Sequence, residues 1–122
     1  MFQTDNYILS QKLMDVAHIR HKSLAGNLAN IETPGYKRVD VAAGFEKDLM
    51  NAVHGNRFDR VARAEVRVEK DPNAISVRPD GNNVSMNKEM MEINENSMRY
   101  EFLTQYVSDN IKSLNKAIRG RS

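Results

Sequence analysis

The 122-residue chain has no cysteine, no tryptophan and only three prolines. Without cysteine there is no disulfide, no thiolate metal site and no cysteine nucleophile, and the redox compartment leaves no trace in the sequence. Aromatic residues are scarce, four Tyr and four Phe, although a hydrophobic content of 40% is not that of a disordered chain. No apolar run approaches the ~20 residues needed to cross a bilayer. The opening MFQTDNYILSQK lacks the basic region and apolar core of a secretory signal peptide. The chain is therefore expected to be soluble, or to leave the cytoplasm by a route that removes nothing.

A charge bias is also missing. Eighteen basic and sixteen acidic residues give a net charge of +2, and both signs occur throughout. The best basic cluster, Arg57, Arg60, Arg63 and Arg67, is interleaved with Asp59, Glu65 and Glu69. Nucleic-acid binders concentrate positive charge to exploit counterion release, so no nucleic-acid partner is expected. His18 and His21 are spaced i, i+3, but a metal site needs a third ligand and the remaining histidine, His54, lies far along the chain. Glu89, Glu92 and Glu95 read as a solvated helix face beside Lys88 and Arg99. There is no glycine-rich phosphate loop and no serine elbow. No enzyme activity, cofactor or small-molecule ligand is expected.

Two long apolar stripes are present. Tyr7, Ser10, Met14, Ala17, His21, Leu24, Leu28 and Ile31 follow alternating steps of three and four, the 3.5-residue period of a coiled coil. Asp5 or Asn6 could cap that helix. Met86, Met90, Ile93, Ser97, Tyr100, Thr104, Val107, Ile111, Leu114 and Ile118 continue the same rhythm in a second helix, with Ser85 or Asn87 as N-cap and Gly120 at its end. Leu9, Leu13 and Ile19 beside the first seam, and Met91, Met98 and Phe102 beside the second, give each helix more apolar surface than one hairpin can bury. The helices are expected to need neighbouring chains.

Between them the pattern changes. Phe45, Leu49 and Val53 suggest a short helix ending near Gly55. Ala64, Val66 and Val68 alternate with charged residues as a strand, and Ile75–Val77 is a second alternating run. The expected fold is mainly α: 1–38, an N-terminal helix and turn; 39–84, a loop-rich insert with a small helix and a β-hairpin; and 85–122, a C-terminal helix. The terminal helices pair as a coiled coil and form one core.

The first helix stops at NLANIETPGYKR. Asn30 tolerates the left-handed conformation that ends helices, Thr33 is forced toward extended backbone by the following proline, and Pro34-Gly35 suits a type II turn. Tyr36, Lys37 and Arg38 should then leave as an extended segment, with Asn27 and Asn30 free to bond a neighbour's backbone. Ala25, Gly26 and Ala29 keep the last turns slim for a close approach.

The stretch Leu24–Lys37 resembles the ANNIAN-x-x-TPGYK signature of bacterial flagellar axial proteins, the rod and hook subunits. It matches at Asn27, Asn30, Thr33, Pro34, Gly35 and Tyr36, and departs at Gly26, where the family often carries Asn. The segment Asp80–Ile118, with Asp80-Gly81-Asn82-Asn83-Val84, Glu89-Met90, Asn96 and Arg99-Tyr100, and the short middle are similar to the proximal rod subunits of that family. The resemblance implies a structural protein of the basal-body rod in the periplasm, exported uncleaved through the flagellar type III export apparatus and transmitting torque. It also implies contacts with copies of itself, other rod proteins and the adaptor joining the rod to the MS ring. The expected assembly interface comprises Met14, Ala17, His21, Leu24, Leu28 and Ile31 on the first helix. It continues through Asn27, Asn30, Thr33, Pro34, Gly35, Tyr36 and Lys37 at the turn to Met90, Ile93, Tyr100, Val107, Ile111, Leu114 and Ile118 on the second helix. The competing reading is a helical-hairpin export chaperone or adaptor.

Overall fold

A computed structural model describes residues 2–76 and 78–120. Six elements follow in order: α1 (Phe2–Ala29), β1 (Val39–Val41), α2 (Ala43–His54), α3 (Phe58–Arg63), β2 (Val68–Lys70) and α4 (Met86–Ile118). α1 starts earlier than the expected caps, and Asp5 instead lies in its first turn, where a carboxylate favours the helix dipole. The Ser85 side chain accepts from the Lys88 amide and caps α4, and Gly120 follows it with φ +64°. At 1.5 Å per residue α4 is roughly 50 Å long.

α1 and α4 run antiparallel. The Asn96 side chain donates to the Ala17 carbonyl at 2.7 Å, and ten residues further along α1 the Asn27 amide reaches Glu89 at 3.4 Å. The stripe that α4 turns inward differs from the expected seam. Glu89 and Asn96 are buried, and Ile93, Leu103, Val107 and Asn110 are half-buried, a 3–4 pattern that shares only Ile93 and Val107 with the anticipated line. Met86, Met90, Ile111, Leu114 and Ile118 are 45–74% exposed, with Tyr100 at 40%. The physical reason is that α4 carries more than one apolar stripe, and two polar side chains with strong partners claim the inner one. On α1 the seam is partly realised. Ser10, Ala17 and Leu24 are buried and Met14, Leu28 and Ile31 half-buried, while Tyr7 and His21 are exposed.

The main apolar core lies on the other side of α1. Val16, Val41, Ala42, Phe45, Leu49 and Val61 form it, with Ile8, Leu9 and Ile19 packed against them. The middle segment is thus folded onto α1, and Leu9 and Ile19 beside the α1 seam belong to this core, while Leu13 is exposed. α2 matches the expected short helix; α3 was not expected. The two strands pair antiparallel with Val39 opposite Lys70 and Val41 opposite Val68. β2 therefore pairs with β1, across α2 and α3. Ile75 and Ser76 lie in irregular chain and Val77 lies outside the described residues, so the second alternating run is not the partner strand. β1 earns its place because Val41 enters the core while Asp40 faces the charged cluster described next.

Candidate functional site

The break at residues 27–38 is built as a joint between α1, β1 and the start of α4. Its turn forms as the residues dictate: the Tyr36 amide donates to the Thr33 carbonyl at 3.2 Å, and Gly35 takes φ +75°, as a type II turn requires. The Gly35 amide also donates to the Asp80 carbonyl at 2.9 Å. A Cβ at Gly35 would meet nothing within 4 Å, so Gly35→Ala costs only backbone strain, about 1–2 kcal/mol. Urea unfolding should show that loss with helix content retained.

Asn30 does not end α1 by adopting positive φ; among the described non-glycine residues only Asn56 does so. Its amide donates to the Gly26 carbonyl at 2.8 Å, and its oxygen accepts from the Thr33 hydroxyl at 3.1 Å. The open carbonyls of the helix end are instead satisfied from 50 residues away. The fully buried Asn82 amide lies 2.9, 3.1 and 2.8 Å from the carbonyls of Asn30, Ile31 and Thr33, and its oxygen accepts from the Val84 amide at 2.8 Å. Arg78 adds a second donor to Ile31. Asn82→Ala removes its four side-chain contacts at once. The Asn30, Ile31 and Thr33 carbonyls keep the Thr33 amide, Arg78 and the Tyr36 amide as donors. The buried Val84 amide loses its partner, a cost of about 1–3 kcal/mol added to the weakened carbonyl contacts. Its urea midpoint should fall further than that of Gly35→Ala.

Asn27 is fully buried and is consumed inside the chain. Its Nδ2 donates to the Val39 carbonyl at 2.8 Å, while its Oδ1 accepts from the Val39 amide at 2.9 Å and the Tyr36 hydroxyl at 3.1 Å. The side chain thus imitates a strand partner for β1. The expected bond to a neighbour's backbone is corrected: the amide has no capacity left for one. Tyr36 likewise folds back instead of pointing away.

Arg38 departs furthest from expectation, being 1% exposed where an outward segment was foreseen. Its Nε lies 2.7 Å from Glu89, Nη1 2.6 Å from Asp71 and Nη2 2.9 Å from Glu92, with Asp40 at 3.6 Å. Its backbone amide donates to Asn83 Oδ1 at 2.7 Å. Arg20 approaches Asp40 at 3.2 Å and also pairs with Glu46, extending the network to α2. Burial alone would lower the Arg38 pKa, but the hydrogen bonds its guanidinium donates to Glu89 and Asp71, with the charges of Glu89 and Glu92, outweigh it and raise it further above its already high value. For Asp71 burial pulls upward, yet the Asn73 amide and the Arg38 guanidinium hold its carboxyl below the ordinary range. Glu89 is completely buried, so the sequence reading of a solvated acidic stripe is corrected. A carboxylate on a polar helix face gives no sign of burial until its guanidinium partner, 51 residues earlier, is identified.

Of the expected interface residues, Thr33, Pro34, Gly35, Lys37, His21, Met90, Tyr100, Ile111, Leu114 and Ile118 lie at the surface. Ala17, Leu24 and Asn27 lie inside, and Met14, Leu28, Asn30, Ile31, Tyr36, Ile93 and Val107 are intermediate. The buried asparagines and Arg38 neither activate a nucleophile nor hold a proton in transit; they set the angle at which α1 meets α4. A rigid joint between two long helices, one of them with its apolar stripe left outside, defines a helical assembly subunit.

No family model matches the chain. It is 33% identical over 116 residues to the flagellar basal body rod protein FlgB of Aquifex aeolicus, with 93% of each chain covered. It is 33% identical to the FlgB of Cereibacter sphaeroides over 83% of this chain and 84% of that one. It is 27% identical to the FlgB of Buchnera aphidicola over 98% of this chain and all of that one. The chain belongs to the FlgB family of flagellar basal body rod proteins.

Proposed function

We propose that the chain is a structural subunit of the proximal part of the flagellar rod, polymerising through its terminal helices into a tubular shaft that transmits torque. The observation that carries the reading is the relationship to FlgB along nearly the whole chain, joined to an α4 whose large apolar residues are unburied. The relatives are named as rod proteins, which leaves the chaperone alternative without support. The subunit is structural and not an enzyme.

The contacts proposed for assembly are the exposed turn at Thr33, Pro34, Gly35 and Lys37 and the outer stripe of α4 through Met90, Tyr100, Ile111, Leu114 and Ile118. Ala17, Leu24 and Asn27 support these surfaces from within. Partners in this reading are copies of the chain, other rod proteins and the adaptor to the MS ring, after uncleaved passage through the type III export apparatus to the periplasm. Mass spectrometry of purified hook–basal bodies tests it: the uncleaved chain should be present at a few copies per particle, and its absence from intact particles would overturn the reading.

A further inference from the structure

Of all the aspartates and asparagines in the chain, only Asp80 is followed by glycine. Glycine has no side chain to shield its own nitrogen, so this is the bond at which a carboxyl is most open to attack by the next backbone amide. In the folded chain each reacting group is engaged elsewhere. The Gly81 amide donates to the Arg78 carbonyl at 3.1 Å, closing a turn with Pro79 in its second position and Gly81 in its fourth. One carboxylate oxygen of Asp80 accepts from the Asn82 amide at 3.0 Å, and the other from Arg78 Nη2 at 3.1 Å. The Asp80 carbonyl accepts from the Gly35 amide at 2.9 Å. These partners are themselves fixed, since Arg78 also donates to Ile31 and Asn82 is fully buried. The Asp80 side chain remains 31% exposed, so bonding and not burial restrains it.

We propose that Asp80–Gly81 is a site of spontaneous isomerisation that the joint between α1 and α4 holds shut, and that reaction there destroys the joint. The Gly81 nitrogen attacks Cγ of Asp80, a C–N bond forms, and the carboxyl hydroxyl leaves with the amide proton as water. A water then opens the five-membered succinimide. Opening at the former main-chain carbonyl leaves the chain running through Cγ as isoaspartate, and the water consumed balances the water lost. No oxidant, cofactor or enzyme takes part.

Isoaspartate lengthens the main chain by one C–C bond, about 1.5 Å. Asn82, two residues on, meets three carbonyls at 2.8 to 3.1 Å, contacts that do not survive a displacement of that size. The Gly35 amide would also face a free carboxylate in place of a peptide carbonyl. Folding and modification therefore exclude one another. A copy kept unfolded ages at this bond, and an aged copy cannot rebuild the end of α1.

The test incubates the full chain near neutral pH, folded in buffer and unfolded in guanidinium chloride, with isoaspartate located by peptide mapping and mass spectrometry. The unfolded chain should gain isoaspartate at residue 80 at least about tenfold faster, because the rate follows the open population. Asp80→Glu, whose longer side chain closes the ring poorly, should gain none there. Asn82→Ala and Arg78→Gln, each checked for retained helix by circular dichroism, should react at rates between the folded and unfolded parent. Equal rates in the folded and unfolded parent would overturn the protection, and no isoaspartate at residue 80 in the unfolded chain would overturn the site. The isomerised chain, purified and returned to buffer, should unfold at lower urea than the parent. An unchanged midpoint would overturn its effect on the joint.

Discussion

Replacing Arg38 by methionine should remove a large share of the stability of the isolated chain. Methionine fills much of the same volume, so the effect is electrostatic. Glu89, with 0% side-chain exposure, would lose its guanidinium, and Asp71, Glu92 and Asp40 would face it without a central cation. Breaking one side of a buried pair costs about 3–5 kcal/mol, a large share of the roughly 5–15 kcal/mol that holds a domain together. Urea unfolding followed by far-ultraviolet circular dichroism would measure it, and a loss below about 1 kcal/mol would show that the network adds little. Arg38→Met combined with Glu89→Met should recover a good part of the loss, since an apolar pair avoids the desolvation cost. Acid supplies an independent check. The Asp71 pKa is lowered in the folded chain, so its contribution is present above the unfolded carboxylate value, about 3.9, and is lost as pH falls through the lower folded value. That acid sensitivity should shrink in Arg38→Met.

Asn27→Asp is expected to be nearly as damaging although it changes one atom. Nδ2 donates to the Val39 carbonyl at 2.8 Å and lies 3.4 Å from Glu89 Oε2. An oxygen there would face two acceptors, and a carboxylate at a fully buried position would sit beside a second one. The cost of such an unpaired buried charge is again about 3–5 kcal/mol near neutral pH. Its pH dependence should have the opposite sign to that of the parent. Burial and Glu89 raise the folded pKa of the new carboxyl, so the penalty is fully present at high pH and is relieved as protonation restores a donor. Chemical unfolding at pH 7 and pH 5 would show the gap to the parent narrowing in acid; an unchanged gap would mean that the Asn27 amide is not a required donor.

These two residues also mark where sequence reading succeeds and stops. The long helices, their lengths and the type II turn were legible because each has a local cause: a 3.5-residue rhythm, Ser85 before a helix, glycine where φ must be positive. The choice of inner stripe on α4 was not legible, because Glu89 and Asn96 are polar and periodicity counts only apolar positions. The end of α1 was assigned to Asn30 on propensity, whereas a donor in Asn82 performs the capping. The strand partner was sought nearby and lies across two helices. In each case a partner distant in sequence, and not the local preference, decided the outcome. Asn82 and Glu89 stood in the quoted family segment, the one signal that pointed to them.

Asn82 also determines when the joint can form. The residues that complete the end of α1 and bury Arg38 all come from beyond position 70. A chain emerging from its N-terminus would present α1 and the Pro-Gly turn long before Asp71, Asn82 or Glu89 arrived to hold them. The turn closes through its own residues, but the joint around it is complete only once the second half of the molecule is in place.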